Sequence, residues 1–226
     1  MKKILVIAAH PDDEILGVGG TVLKHSINGD ECFALILGEG MTSRYDKREL
    51  ADSIKVEKLH EDTYKAGEVI GYKKIHMENL PDNRFDSIPL LDVVKIIEKY
   101  IEYIKPDIIY THFGGDLNID HKITFEATLT ASRPIGQEYV KEIYAFETVS
   151  STEWNFTNTH NFKPNYFVNI SETLDAKLKA MECYKSELME FPHPRSIENL
   201  KASALKWGSL ISRKYVEAFE VVRVIK

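Results

Sequence analysis

Ile4-Leu5-Val6-Ile7-Ala8-Ala9-His10-Pro11-Asp12-Asp13-Glu14-Ile15-Leu16 is the stretch on which the fold of this chain turns. Six apolar residues in a row, with no polar alternation, are the pattern of a strand covered on both faces, as in a parallel sheet. The run stops at an imidazole, a proline and three carboxylates. A helical pattern then starts at Ile15 and continues to Asn28, where Gly29 ends it. A buried strand that ends in a histidine and adjacent acids is costly to keep for packing alone, because charges there need partners. A divalent metal ion is a suitable one.

Outward from this point, strand and helix signals alternate. Glu31–Leu37 reads as a second strand. A polar loop with Gly38 and Gly40 leads to a long helix over 47–70, stopped by Gly71, and then to a short strand, Lys74–Met77. Leu90, Val94, Ile97, Ile101 and Ile104 recur at helical spacing before Pro106, Asp107–Thr111 is the next strand, and a helix follows over 119–132. This order predicts an α/β fold with a mostly parallel, twisted sheet and helices on both faces. Ligands of such sheets bind beyond the carboxyl ends of the strands. A second cluster, Asp116-Leu117-Asn118-Ile119-Asp120-His121, falls at such an end too.

The last third is less regular. Strands are predicted at Tyr144–Phe146 and Tyr166–Ile170. Ser171 can cap a helix with the stripe Leu174, Leu178, Met181, Tyr184 and Leu188. Phe191-Pro192-His193-Pro194-Arg195-Ser196 cannot be helical and forms a shaped loop. A helix to about Arg213 and a strand near Ala218–Ile225 follow. Without an internal repeat or linker tract, residues 1–226 read as a single domain with a C-terminal elaboration.

The chain has 226 residues, a formal net charge of −6, 43% hydrophobic and 28% charged residues. That balance suits a globular protein with a real core, and it carries no basic nucleic-acid footprint. Met1-Lys2-Lys3 followed by Ile4–Ala9 is shorter than a signal sequence and runs directly into charge, so a cytoplasmic protein is expected. No stretch approaches the ~18 apolar residues of a membrane span. Cys32 and Cys183 lie in apolar contexts and read as free thiols in a reducing compartment. Gly17-Val18-Gly19-Gly20 is not a complete dinucleotide fingerprint, and close helix-to-sheet packing explains it better.

His10 and Asp13 stand three apart at a strand-to-helix turn, so both can face one point. His121 is the natural third ligand. Imidazole and carboxylate suit zinc, and also ferrous iron or another divalent first-row ion. Three protein ligands leave a position for water, which marks a catalytic rather than a structural site. Asp12, beside ligand Asp13, is the candidate general base. Glu14 is expected to cap the helix or to support the ligands from behind.

His10-Pro11-Asp12-Asp13-Glu14 after Ala8-Ala9, paired with Asp120-His121, resembles the PIG-L/LmbE family of metal-dependent N-deacetylases. The resemblance implies a Rossmann-like fold and hydrolysis of the acetamide of an N-acetylglucosamine-type sugar. It also implies zinc on His10, Asp13 and His121, Asp12 as base, and Asp120 orienting a neighbour. Homo-oligomers are common in that family. Many relatives carry a histidine three residues before the last ligand, where this chain has Asn118. Its amide can donate to a developing oxyanion but cannot deliver a proton. His193, fixed between two prolines and followed by Arg195, is therefore a candidate proton donor or substrate contact. The Pro-His-Pro-Arg-Ser loop and Asp116-Leu117-Asn118 look closest to members from surface-polysaccharide pathways, which favours a nucleotide- or lipid-linked amino sugar.

Position suggests further substrate contacts. Arg44 follows the second strand and suits a phosphate, whereas Asp82 and Arg84 follow the third. Trp154, in Glu147-Thr148-Val149-Ser150-Ser151-Thr152-Glu153-Trp154, suits a sugar face, and Glu217 is a loose candidate for the C-terminal rim. Two rivals are a phosphoester hydrolase using the same metal, and a non-catalytic sugar-binding protein with a structural metal. The first usually displays more carboxylate ligands, and the second has no need of Asp12.

Overall fold

The computed structural model describes residues 1–136, 140–157 and 160–226. Five strands run parallel: β1 (Lys3–Ala8), β2 (Glu31–Gly38), β3 (Lys74–Leu80), β4 (Ile108–His112) and β5 (Glu142–Phe146). β6 (Tyr166–Asn169) and β7 (Val216–Val224) complete the sheet in the order β3-β2-β1-β4-β5-β7-β6, with β7 antiparallel to both β5 and β6. The predicted architecture is present, and the C-terminal elaboration is this antiparallel pair with its helices.

Helices cover both faces. α1 (Asp13–Leu16), α2 (Gly19–Ile27), α3 (Ser53–Ile70) and α4 (Leu90–Ile104) precede β4, and α5 (Ile119–Ala131), α6 (Leu174–Met181) and α7 (Ile197–Leu210) follow it. β1 is central. Its even residues Ile4, Val6 and Ala8 pack with Val22, Leu59, Ala66, Ile70 and Met181, and its odd residues Leu5 and Ile7 with Val94, Ile97, Ile101 and Ala127. Residues Ile4 to Ala9 have no exposed surface. Each such aliphatic side chain contributes roughly 1.5–3 kcal/mol when fully buried, so the unbroken apolar run is what makes β1 the middle of the sheet.

Several boundaries differ from expectation. The helix expected from Ile15 to Asn28 is broken at Val18, whose φ of −145° leaves the helical region, and the preceding Gly17 packs so closely on Phe146 that a Cβ there would meet the ring at 2.2 Å. The expected 47–70 helix starts only at Ser53, where Asp52 accepts from Ile54 N and Lys55 N. α6 ends at Met181, although Tyr184 beyond it still packs in the core. Cys32 is buried, which pushes its thiol up to about 12, and both cysteines are free. Among the described residues, no helix is long and apolar enough to cross a membrane.

The chain leaves β1 toward β2 and β3 on one side and later returns to β4 and β5 on the other. The switch point therefore lies between the carboxyl ends of β1 and β4, where neighbouring connections diverge and open a crevice. His10–Glu14 follows β1 and Asp116–His121 follows β4, so the sheet order brings the two clusters together.

Candidate active site and metal centre

Asp13 Oδ2 is the point on which the site converges. It accepts from His10 N at 2.8 Å and lies 3.5 Å from His10 Nδ1 and 3.4 Å from His121 Nε2. One ligand atom from each of His10, Asp13 and His121 falls within 4.8 Å of the others. A second grouping joins His10 to Asp82 and Asp120. His10 Nε2 is 2.9 Å from Asp120 Oδ2 and 3.3 Å from Asp82 Oδ1. With Nε2 engaged there, Nδ1 is the nitrogen on the Asp13 side, and the outer carboxylates orient the ring. Asp120 is itself held, because its Oδ1 accepts from Phe85 N at 2.9 Å.

The donor set calls for positive charge. Burial disfavours charge on His10, but its bonds to Asp120 and Asp13 outweigh that and hold its pKa well above the usual value. His121 is brought to about 9: burial opposes charge, and Asp13 and Asp116 overcome it. Asp13, despite burial, is held well below the carboxylate range, chiefly by the charge on His121. Two imidazoles beside an ionised carboxylate, each with an acid behind it, form a set that suits a divalent cation. Both rings must shed their protons to ligate, so cation uptake near pH 7 is expected to release at least one proton, and affinity to fall with pH below about 9. Calorimetric titration in two buffers of different ionisation enthalpy measures this; a heat independent of buffer would contradict it.

Two supporting residues escaped the sequence reading. His112, the last residue of β4, accepts from Ala9 N through Nε2 at 2.9 Å, while Nδ1 faces Thr148 Oγ1 at 3.1 Å. Burial, with charge on His121 next to it, pushes it down to about 4, so it is neutral and stacks on His121 at 3.9 Å between centroids. Asp116 Oδ1 lies 3.2 Å from His121 Nδ1 and accepts from Asn118 N and Ser151 Oγ. A histidine ending a strand next to β1 was a legible signal for His112, but the expected strand stopped one residue short at Thr111.

Asp12 lies beside the His10–Asp13–His121 cluster in an unusual backbone conformation, φ 102°. Its N–H donates to Glu14 Oε2 at 3.0 Å, and its Oδ2 is 3.2 Å from Arg195 Nη1. Burial raises its pKa well above the carboxylate range, and Arg195 opposes that rise. Glu14 is sealed in and pushed up to about 8 by burial, although Tyr184 Oη donates to it.

A cavity of about 240 Å³ opens over this centre. Of the expected substrate contacts, Arg44, Asp82, Asn118 and Arg195 line it, together with Asn83, Ser150 and Ser151. Asn118 caps α5 by accepting from Asp120 N, and its Nδ2 donates to Asn83 Oδ1 at 2.9 Å. Asp82 accepts from Ser43 N and Oγ. His193, Trp154 and Arg84 are not among the lining residues. His193 Nδ1 accepts from Arg195 N, and Trp154 packs edge-on against the His193 ring. Arg84 is exposed. Glu187, which no sequence signal marked, lines the cavity between Arg44 and Arg195. Glu217 is no rim residue: it is buried against the start of α2.

A mostly parallel sheet with a His–Asp–His cluster at its switch point, and a buried acid beside it, is an arrangement that suits a metal-dependent hydrolase. The family described as PIG-L, GlcNAc-PI de-N-acetylase, matches residues 5–132, which include both clusters. The chain belongs to this family of metal-dependent N-deacetylases. It is 28% identical to the diacetylchitobiose deacetylase of Thermococcus kodakarensis over 229 aligned positions, covering 98% of this chain and 84% of that protein. Among solved structures, the N,N′-diacetylchitobiose deacetylase of Pyrococcus horikoshii superposes with a TM-score of 0.78 at 23% identity, over 98% of this chain and 84% of that one. The 4-carboxy-2-hydroxymuconate hydratase of Pseudomonas putida does so with the same TM-score at 21% identity, over 100% and 99%. The same fold thus accompanies different named activities, and the reaction has to be argued from the site.

Proposed function

We propose that this protein is a zinc-dependent deacetylase that hydrolyses the acetamide of an N-acetylglucosamine-type sugar to free amine and acetate. The observation that carries the reading is the convergence of His10, Asp13 and His121 with Asp12 at one end of the cavity. These three side chains would hold the ion, and ferrous iron would find the same ligands acceptable. A divalent cation there supplies Lewis acidity toward the acetamide carbonyl and lowers the pKa of water.

Asp12 accepts the proton of the attacking water. Its desolvated carboxylate is a stronger base than one in solvent, and once protonated it can return the proton to the leaving amine nitrogen of a sugar bound in the cavity it lines. Asp12 rather than His193 suits that step, because Asp12 lines the cavity and His193 does not. Arg195 holds Asp12 in place. The second N–H of Asn118 Nδ2 is available to the developing oxyanion. Hydroxyl and carboxamide groups from Ser43, Asn83, Ser150 and Ser151 suit sugar hydroxyls.

The test is a mass-spectrometric screen of N-acetylamino sugars, free, glycosidically linked and nucleotide-linked, with zinc-loaded protein. Acetyl loss from at least one, abolished by chelation and restored by zinc, is expected. Intact substrates throughout, from a folded and metal-loaded protein, would overturn the reading.

A further inference from the structure

Both arginines that line the cavity end on one buried carboxylate. Arg44 Nη2 is 2.5 Å from Glu187 Oε2, and Arg195 Nη1 is 2.9 Å from the same oxygen. Arg195 Nη1 also reaches Asp12, and its Nε, which has no partner, is fully buried. Glu187 is 5% exposed and lies just before the turn that carries Arg195. No lysine lines the cavity, and Arg48, on the same loop as Arg44, is occupied by Glu39 through two bonds of 2.8 Å. Apart from the His10–Asp13–His121 centre, three carboxylates, on Asp12, Asp82 and Glu187, thus face the cavity together with two guanidinium groups that are already engaged.

We propose that Glu187 determines the charge of the accepted substrate: by holding Arg44 and Arg195, it selects an uncharged N-acetylamino sugar over one bearing phosphate or carboxylate. This rests on the deacetylase reading above. A phosphate that draws Arg44 away from Glu187 leaves this buried carboxylate with Arg195 alone and sets a second anion next to it. A neutral sugar leaves the pair intact and takes its hydrogen bonds from the hydroxyl, carboxamide and Asp82 groups around it. Discrimination here comes from an element that repels the wrong ligand rather than from a tighter grip on the right one.

The experiment compares kcat/KM for acetate release from N,N′-diacetylchitobiose and from N-acetylglucosamine 1-phosphate, using zinc-loaded wild type, Glu187→Gln, Arg44→Gln and the double variant. Wild type is expected to favour the neutral sugar. Glu187→Gln is expected to shift the ratio toward the phosphate by about 10- to 100-fold, the value of one charge-assisted hydrogen bond, and adding Arg44→Gln to cancel the gain. Arg44→Gln alone, at a half-exposed side chain that folding tolerates, is expected to leave the ratio in place. An active Glu187→Gln with an unmoved ratio overturns the inference. So does a large loss of phosphate turnover in Arg44→Gln alone, because Arg44 would then already serve the phosphate. Absence of acetate from every sugar of the screen above with wild type overturns the deacetylase reading, and this inference with it.

Discussion

Replacing Asp12 with asparagine is expected to lower turnover by about 10²–10⁴ while leaving the metal content unchanged. The side chain keeps its shape, and its amide oxygen still accepts from Arg195, which lies 3.2 Å away in the native protein. Asparagine also tolerates the positive φ of 102° at this position better than most residues. What is lost is the capacity to take and return a proton. Asp12→Ala is expected to behave alike in turnover but to free Arg195 as well. His10→Ala, Asp13→Ala and His121→Ala should instead lose the ion itself. Parallel metal analysis and steady-state kinetics separate the two classes. An Asp12→Asn protein with full metal and near-native turnover would remove Asp12 from its role, and full metal in all three ligand variants would remove the ligand assignment.

The largest expected effect on stability lies away from the cavity. Glu217→Ala should cost about 3–5 kcal/mol, the usual result of stripping one partner from a buried ion pair. Glu217 Oε1 is 2.6 Å from Lys177 Nζ, and both residues are at most 7% exposed. The same carboxylate accepts from Gly20 N at 3.0 Å and Thr21 N at 2.7 Å, which are otherwise unsatisfied donors at the start of α2. Lys177 Nζ reaches on to Leu16 O at 2.7 Å, so the pair joins β7 and α6 to the broken helix behind the metal-ligand turn. Removing Glu217 leaves an ammonium and two N–H groups buried together. Replacing both partners with methionine should cost much less, because no uncompensated charge remains. Urea denaturation of the single and double variants measures this, and a loss below about 1 kcal/mol in Glu217→Ala would show that solvent reaches the pair.

Much of the molecule was legible before its coordinates. The apolar run before His10, the helical spacing of Leu90 to Ile104 and the Gly71 stop each follow from local chemistry, and each corresponds to an element of the fold. The meeting of His10, Asp13 and His121, within 4.8 Å of one another, was legible because ligand chemistry at a strand end is hard to explain as packing. Failures cluster where distant contacts override local preference. The helix expected through Gly17 breaks at Val18, and Phe146, well over a hundred residues away, fills the space beside that glycine. Glu217 looks like a surface acid until Lys177 and the α2 amides are seen to enclose it. His193 and Trp154 carry suitable groups, yet they pack on one another beside the loop that aims Arg195.

By itself the sequence determined the α/β alternation and the chemistry at the ends of two strands, because hydrophobic periodicity and ligand type are written in neighbouring residues. Only the tertiary structure decided which acids support His10 and His121, and that Glu187 occupies both cavity arginines. Two of these pairings, His10 with Asp120 and Arg44 with Glu187, join residues more than a hundred positions apart, and all of them depend on burial, which raises the cost of any unpaired charge and is a property of the packed chain alone.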